Sequence, residues 1–306
     1  MTLLKAICEY QVPPEAETIP KTDDEARSRN KIIYWKNKKI CGQILSKFIL
    51  KYGNPRWVDE EEEDAARNIE SRYLVPFLET FVKVLLRRKT GFVASDYTYF
   101  AAKFAFYALK APALFERLNP LLEELLFDVY LPMIFITEKD VQTWKNDPIE
   151  YIRREDREGK KVRDLKRQGM DNIEVICLKK SPSGKRYLFT LMEFVGHVLS
   201  HGVNPRTNQK TDLVMKQSLL YVLDVIHDQI EKVDVIQSQM ETLLETFVIP
   251  EFKSEVGFLR ATACKLFGTF GHIEFKKPEN IQIATEGIYR CLLDKELPVR
   301  VAVINF

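Results

Sequence analysis

The chain has 306 residues, of which 45% are hydrophobic and 29% are charged, and its formal net charge is +2. This composition excludes a disordered chain, and the nearly balanced charge gives no electrostatic reason to expect nucleic acid as a partner. No apolar run approaches the roughly 18–20 residues that a membrane span needs. The five cysteines are scattered, which fits a reducing compartment. We therefore expect a soluble intracellular protein without a membrane segment.

Helical periodicity dominates the chain. Apolar residues recur at steps of three, four and seven, which forms the stripe that an amphipathic helix buries. The first long stripe comprises Ile33, Ile40, Ile44 and Phe48, and the second comprises Leu74, Phe77, Leu78, Phe81 and Leu85. Comparable stripes follow in Tyr99–Leu109, Leu121–Leu131, Leu188–Leu199, Leu213–Ile226, Met240–Val248 and Phe258–Phe270. With one candidate extended piece, at Ile173–Leu178, the pattern predicts an all-α fold.

Three charged segments interrupt the helices, near residues 12–29, 53–64 and 155–186. The first is rich in Pro, Glu, Thr and Asp, and the second contains the acidic run Asp59–Asp64. In the third, the next helix typical of a core is expected only near Tyr187. We predict charged loops at all three places. No domain boundary is assigned to them, because helix pairs of similar character continue on both sides.

Two segments near the C-terminus match when they are offset by forty residues: Leu259-Arg260-Ala261 and Val299-Arg300-Val301. A period near forty, with an apolar-Arg pair early in one helix, is typical of HEAT repeats. Such helix pairs cannot bury their own apolar faces and stack on their neighbours, so we predict an α-α superhelix, a solenoid of HEAT or armadillo type. Three prolines lie near expected junctions between elements, since proline suits the first turn of a helix: Pro76, Pro132 and Pro250.

Residues 1–306 are predicted to be a single solenoid segment that is truncated at both ends. A solenoid needs polar capping repeats. This sequence instead opens inside an apolar helix and stops at Val301–Phe306, where another apolar helix has just begun.

The segment Asp147–Arg154 begins with a helix-start signal. Asp147 can cap free backbone N–H groups, Pro148 suits the first helical position, and Glu150 lies in the first turn, where the helix dipole favours an anion. Further along, two apolar residues are expected to face a core and two basic ones to face water: Tyr151 and Ile152, then Arg153 and Arg154.

A second candidate contact is acidic. Glu61, Glu62 and Glu63 lie in the run Asp59–Asp64, which could receive a basic partner. The alternative is a solvated loop with favourable charge at a helix start.

Catalytic and metal-binding patterns are weak. His197 and His201 have a spacing that lets two imidazoles meet one metal, but Val198 stands where a zinc protease needs glutamate, and no third ligand is evident. No glycine-rich phosphate loop, nucleophile elbow or pair of catalytic carboxylates occurs. We expect no metal, no cofactor and no enzyme activity.

Several motifs together resemble one protein family. Trp144 with Asp147–Arg154 resembles the mid-chain loop of nuclear transport receptors of the importin-beta superfamily. Two further segments, Trp35–Pro55 and Phe252–Cys264, are similar to the importin seven and importin eight branch. The sequence departs from that branch after Arg154, where charged residues replace apolar helices and one repeat is expected to be shortened.

The resemblance implies a receptor that carries protein cargo, basic ribosomal or histone-like proteins, from cytoplasm to nucleus. Its implied partners are cargo, Phe-Gly nucleoporins and the Ran GTPase, whose main surface would lie in repeats that precede this piece. A monomer is expected. The Asp147–Arg154 loop is the best candidate for a Ran or cargo contact. Alternatively, Trp144 and Tyr151 only anchor this loop to its own repeat.

Three other functional readings stay open at this point. An exporter of the same superfamily would bind cargo together with Ran-GTP. A HEAT-repeat scaffold would not bind Phe-Gly repeats, and an enzyme would need a reactive constellation.

Overall fold

The computed structural model describes residues 2–54, 56, 58–88, 91–155 and 164–304, and it describes residues 23 and 24 by their backbone alone. Within these ranges the chain is built from α-helices joined by short connections. The helices are α1 Thr2–Glu9, α2 Pro14–Glu17, α3 Asp23–Asn30, α4 Ile33–Tyr52, α5 Glu63–Ile69, α6 Val75–Arg87, α7 Ser95–Ala108, α8 Pro112–Leu118, α9 Leu122–Leu125, α10 Leu131–Met133, α11 Glu138–Asn146, α12 Pro148–Glu155, α13 Leu165–Cys177, α14 Tyr187–His201, α15 Leu213–Val225, α16 His227–Glu231, α17 Asp234–Gln237, α18 Met240–Leu243, α19 Gly257–Phe270, α20 Pro278–Leu292 and α21 Leu297–Ile304.

The predicted all-α fold of HEAT-type helix pairs is confirmed. In the described ranges, β pairing is confined to two isolated bridges, Lys180 with Arg186 and Val203 with Lys210. No described helix combines the length and the apolar character needed to cross a membrane. The helices form two compact units, Met1–Ile134 with Val162–Tyr187, and Phe135–Lys161 with Leu188–Phe306. The single-segment organisation stays a prediction.

Three helices run through a proline by means of a wide π turn. Glu70–Leu74, Leu126–Tyr130 and Leu244–Val248 are π-helical, and the prolines Pro76, Pro132 and Pro250 follow two residues later. In each case the residue before the proline donates its N–H five residues back, as Val75 does to Glu70. Proline lacks an N–H and collides with the carbonyl of the preceding turn, and a wider turn relieves that collision. The expected junctions at these prolines are therefore changes of helix type, from π to α at Pro76 and Pro132 and from π to 3-10 at Pro250, rather than beginnings of separate helices.

In the first unit, α7 lies between α4, α6 and α13. The predicted stripe Leu74–Leu85 is buried, with Leu74, Phe81 and Leu85 fully inaccessible to solvent. The Phe81 ring lies 4.9 Å from that of Phe104 and 5.9 Å from that of Tyr97, which gives the unit an aromatic centre.

The predicted stripe of α4 is wrong. Ile33, Ile40 and Ile44 are 59%, 53% and 38% exposed. The buried face carries instead Trp35, Lys38, Cys41, Gly42, Leu45, Ser46 and Ile49. Lys38 is tolerated on this face because its ammonium donates to the carbonyl oxygens of Ile7 at 3.1 Å and Cys8 at 2.5 Å, which closes the C-terminus of α1.

Two predicted loops contain helices. In the segment 12–29, α2 and most of α3 form, and the Trp35 indole donates to the Ala16 carbonyl at 3.3 Å, which holds α2 against α4. In 155–186, the expectation that no core helix precedes Tyr187 is wrong, because α13 buries Ile173 and Ile176 completely. Residues 156–163 lie outside the described ranges.

Helix α13 was not recognised from the sequence because several of its buried residues are polar. Asn172 is fully buried and donates to the Ala102 carbonyl at 3.2 Å. Gly169 allows a close approach, since a methyl group there would lie 3.0 Å from Cβ of Met133. The predicted extended piece Ile173–Leu178 is therefore helical through Cys177, and this stretch supplies an ordinary packed helix.

The second unit centres on α19, which packs against α15 and α21. Arg260 and Arg300 occupy the fourth position of α19 and α21, so the forty-residue repeat in the sequence corresponds to equivalent places in two helices. Ala263 is fully buried on α19, where a small side chain brings the helices close.

Candidate partner-binding segment

The segment α11–α12 forms a capped helical hairpin. Thr137 and Asp140 build a capping box at the start of α11, with the Asp140 N–H 3.2 Å from Thr137 Oγ1 and the Thr137 N–H 2.9 Å from the Asp140 carboxylate. At the start of α12, the Glu150 N–H donates to Asp147 Oδ1 at 3.0 Å. The helix start predicted at Asp147-Pro148 is thus formed.

Several candidate contact residues have partners in their own hairpin. Arg154 donates to Glu150 at 3.1 Å and to Thr143 Oγ1 at 3.3 Å, which ties α12 back to α11. Arg153 is exposed, as predicted for a residue that faces water, and Ile149 beside it is 53% exposed. A partner role for Asp147, Glu150, Tyr151, Arg153 and Arg154 stays a prediction.

Trp144 anchors the hairpin to distant helices. Its ring lies 4.8 Å from that of Tyr151 and 6.4 Å from that of Phe258 on α19, and the side chain is only 6% exposed. Its indole N–H donates to Glu296 Oε2 at 2.5 Å, immediately before α21. Burial raises the pKa of Tyr151, and Glu155 and Asp140 add to that rise. Trp144 therefore contacts α19 and the residue before α21 as well as Tyr151 in its own hairpin.

Glu296 connects this anchor to a buried ion cluster. Its second carboxylate oxygen accepts from Arg260 at 2.9 Å, and Arg260 makes a two-pronged bond to Asp294 at 2.6 and 2.9 Å. Arg260 also donates to the Ser254 carbonyl at 2.8 Å. The hydrogen bonds that Arg260 donates to Asp294 raise the pKa of Arg260 despite burial, so the guanidinium is held charged.

Gly257 makes room for the Glu296 carboxylate. A methyl group on Gly257 would lie 2.3 Å from Glu296 Oε2. The carboxylate thus lies against the first turn of α19, where the helix dipole favours a negative charge. The sequence analysis did not assign a role to Glu296 or Gly257. The only signal was for Gly257, which belongs to the segment Phe252–Cys264 that resembles the transport receptors.

An open cleft of about 740 Å³ borders the ion cluster. Phe252, Lys253 and Lys295 contribute to its wall together with Arg260. Because Arg260 directs four hydrogen bonds to its own chain, the charged groups that the cleft offers a ligand are mainly the exposed Lys253, Glu255 and Lys295.

The acidic run has both exposed and paired members. Glu61 and Glu62 are exposed, Glu62 lies 3.7 Å from Lys51, and Glu63 pairs with Arg67 at 2.5 Å one helical turn later. The run precedes and opens α5, where negative charge is favourable. A basic partner for Glu61, Glu62 and Glu63 stays a prediction.

His197 and His201 are exposed on α14, with ring centroids 4.4 Å apart and nearly parallel. His201 Nδ1 lies 3.0 Å from the His197 carbonyl oxygen. Across the described part of the chain, no three His, Cys, Asp or Glu side chains are grouped so that they could hold a metal ion.

Comparisons with known proteins give a consistent set of relatives. The chain is 24% identical over 302 residues to the importin beta-like SAD2 homolog of Arabidopsis thaliana and 24% identical over 303 residues to importin-8 of Homo sapiens. It is 25% identical over 303 residues to the probable importin-7 homolog of Dictyostelium discoideum. These alignments cover 96–98% of this chain but 27–28% of the relatives, so the chain spans less than a third of their length. No protein-family model and no solved structure matches it.

Proposed function

We propose that this chain, a partial member of the importin-beta family, forms part of a nuclear transport receptor that carries protein cargo into the nucleus under the control of Ran-GTP. The observation that supports this most is continuity: the similarity to proteins named importins runs through 98% of the chain. The helix-pair architecture of both units agrees with it.

The proposed mechanism is binding rather than chemistry. A stack of helix pairs offers a long surface, and small changes in each repeat add up along the stack. Cargo and Ran-GTP would then favour different conformations, so that binding of one weakens binding of the other. Basic ribosomal or histone-like proteins are the proposed cargo, with Glu61, Glu62 and Glu63 as a steering surface and α12 as a contact for Ran or cargo.

The receptor would shuttle between cytoplasm and nucleus as a monomer and bind Phe-Gly nucleoporins on its way. Neither nucleic acid nor a membrane is part of this proposal, and no cofactor is needed.

The test is a pull-down from cell extract with this chain in its native full-length protein. Cargo would be identified by mass spectrometry, with and without Ran loaded with a non-hydrolysable GTP analogue. Basic proteins that are lost when Ran-GTP is added support an importer. Cargo retained only with Ran-GTP would indicate an exporter, and binding that ignores Ran would point to a HEAT-repeat scaffold.

A further inference from the structure

We infer that Glu296 is a positioning residue, through which the α11–α12 hairpin and the helices α19 and α21 respond to one another. The residues involved all lie in the second unit. The coupling itself is a property of this chain, and only its use by a transport partner rests on the proposed function.

Glu296 lies at a three-way junction. Its carbonyl oxygen accepts from the Val299 N–H at 3.1 Å, so it begins α21, while its carboxylate lies against Gly257 in the first turn of α19. The same carboxylate accepts the Trp144 indole N–H from α11. One residue therefore contacts the beginnings of two helices and the anchor of a third, although Trp144 is 152 residues away in sequence.

The junction has little freedom to rearrange. One Glu296 oxygen bonds Trp144 and the other bonds Arg260, which is itself only 8% exposed and is fixed by Asp294. If Trp144 leaves, a carboxylate oxygen that is partly buried loses its partner. If α19 and α21 shift, the acceptor moves away from the indole. Leaving a buried polar group unpaired is unfavourable, so the two events are linked.

A second contact joins the hairpin to α19. Glu155, the last residue of α12, lies 4.0 Å from Lys265, while Trp144 meets Phe258 two helical turns earlier on α19. The hairpin is thus attached to α19 near both of its ends. Arg153 and Ile149 remain exposed between these attachments. A partner that pulls on this exposed part of α12 would act on Glu296 and on both helices.

The experiment is a double-mutant cycle read by amide hydrogen exchange, with no partner present. Trp144→Phe keeps the ring and removes the indole N–H, and Glu296→Ala removes the acceptor. Each single variant is expected to speed exchange in α12 about tenfold, which corresponds to about 1.4 kcal/mol. If the two side chains act as one unit, the double variant exchanges no faster than the faster single variant.

A change in the hairpin that alters exchange in α19 and α21 distinguishes a positioning role of Glu296 from local packing. Trp144→Phe should also speed exchange at the first turns of α19 and α21, although it changes only the hairpin. Glu296→Gln keeps an acceptor oxygen and should restore part of the protection that Glu296→Ala loses. Glu286→Gln, on an exposed carboxylate of α20, is the matched control and should change nothing.

If the two single effects multiply, so that α12 exchanges about a hundredfold faster in the double variant than in the parent, the coupling is refuted. Unchanged exchange in α19 and α21 after Trp144→Phe would also refute it. If Glu296→Ala does not fold, the cycle runs under the same criteria with Glu296→Leu, which also removes the acceptor but keeps most of the side-chain volume. If the cycle shows coupling but the native protein binds neither Ran nor cargo, only the proposed function is refuted.

Discussion

A methyl group added at Gly287 should destabilise the second unit, although alanine is the better helix former. Gly287 lies on α20, where a methyl group would come within 2.5 Å of Cγ and 2.8 Å of Cβ of Phe252. Carbon atoms prefer about 3.5–4.0 Å. These atoms belong to the stem of the ring, and Phe252 is 4% exposed and packs 6.2 Å from the Phe267 ring. Relief therefore requires α20 to move.

The expected magnitude follows from two opposing terms. Overpacking of this kind costs about 1–3 kcal/mol, and the close contacts with the ring stem favour the upper half of that range. Replacing glycine by alanine in a helix returns about 1 kcal/mol. We expect Gly287→Ala to lower the free energy of unfolding by about 1–2 kcal/mol. Gly196→Ala on α14, where no atom lies within 4 Å, should raise it by about 0.5–1 kcal/mol.

The assay is urea denaturation followed by circular dichroism, with the thermal midpoint as a second measure. The opposite signs of the two alanine variants are the diagnostic result, because helix propensity alone predicts the same sign for both. A Gly287→Ala protein as stable as the parent would show that α20 and Phe252 are not in close contact.

Three further predictions concern charged groups. Burial raises the pKa of Asp294, but the hydrogen bonds from Arg260 outweigh it, so the net pKa lies below 3.8. Asp294 therefore contributes stability above about pH 4, and this contribution is lost as pH falls through its folded pKa. We expect Asp294→Asn to lower the free energy of unfolding by about 2–3 kcal/mol at pH 7 and to make that free energy depend less on pH at acid pH. Lys38→Met should cost about 1.5–3 kcal/mol and speed amide exchange in α1, since it removes both cap bonds. Neutralising Asp59–Asp64 should slow association with a basic cargo, mainly at low salt.

Each of these has a control and a contrary outcome. If urea titrations show the same loss of unfolding free energy at acid pH for Asp294→Asn as for the parent, Asp294 does not contribute to the pH dependence. Lys39→Met affects only a partly exposed pair with Asp96 and should cost less than about 1 kcal/mol, so equal losses for both lysines would argue against the cap. An on-rate that neutralisation leaves unchanged at low ionic strength would exclude steering by the acidic run.

Sequence reasoning succeeded where apolar side chains alone decide burial. The buried stripe Leu74–Leu85 follows from its periodicity. It failed on α4, because the buried face contains Lys38, Gly42 and Ser46, whose burial depends on carbonyl partners and close helix approach. It missed α13 for a similar reason, since Asn172 is buried through a bond to another helix.

The candidate segment shows the same limit. The local sequence was enough to predict the start of α12 at Asp147-Pro148, because a cap acts over three residues. The attachment of Trp144 to Glu296 joins residues that are far apart in sequence, and no local pattern carries that information. For this reason the sequence indicated the contact between Trp144 and Tyr151 but not the attachment to Glu296.

The wide turns before Pro76, Pro132 and Pro250 let one helix present two different faces. Each π turn holds one residue more than an α-helical turn, so the side chains beyond it are rotated by about 100° from where an unbroken helix would place them. The stripe of a helix can therefore change its packing partner midway without a loop. At these three places the helix can accommodate the insertion or deletion of one residue while both of its ends keep their positions. Such a change rotates the side chains beyond the turn about the helix axis and leaves the helix length unchanged.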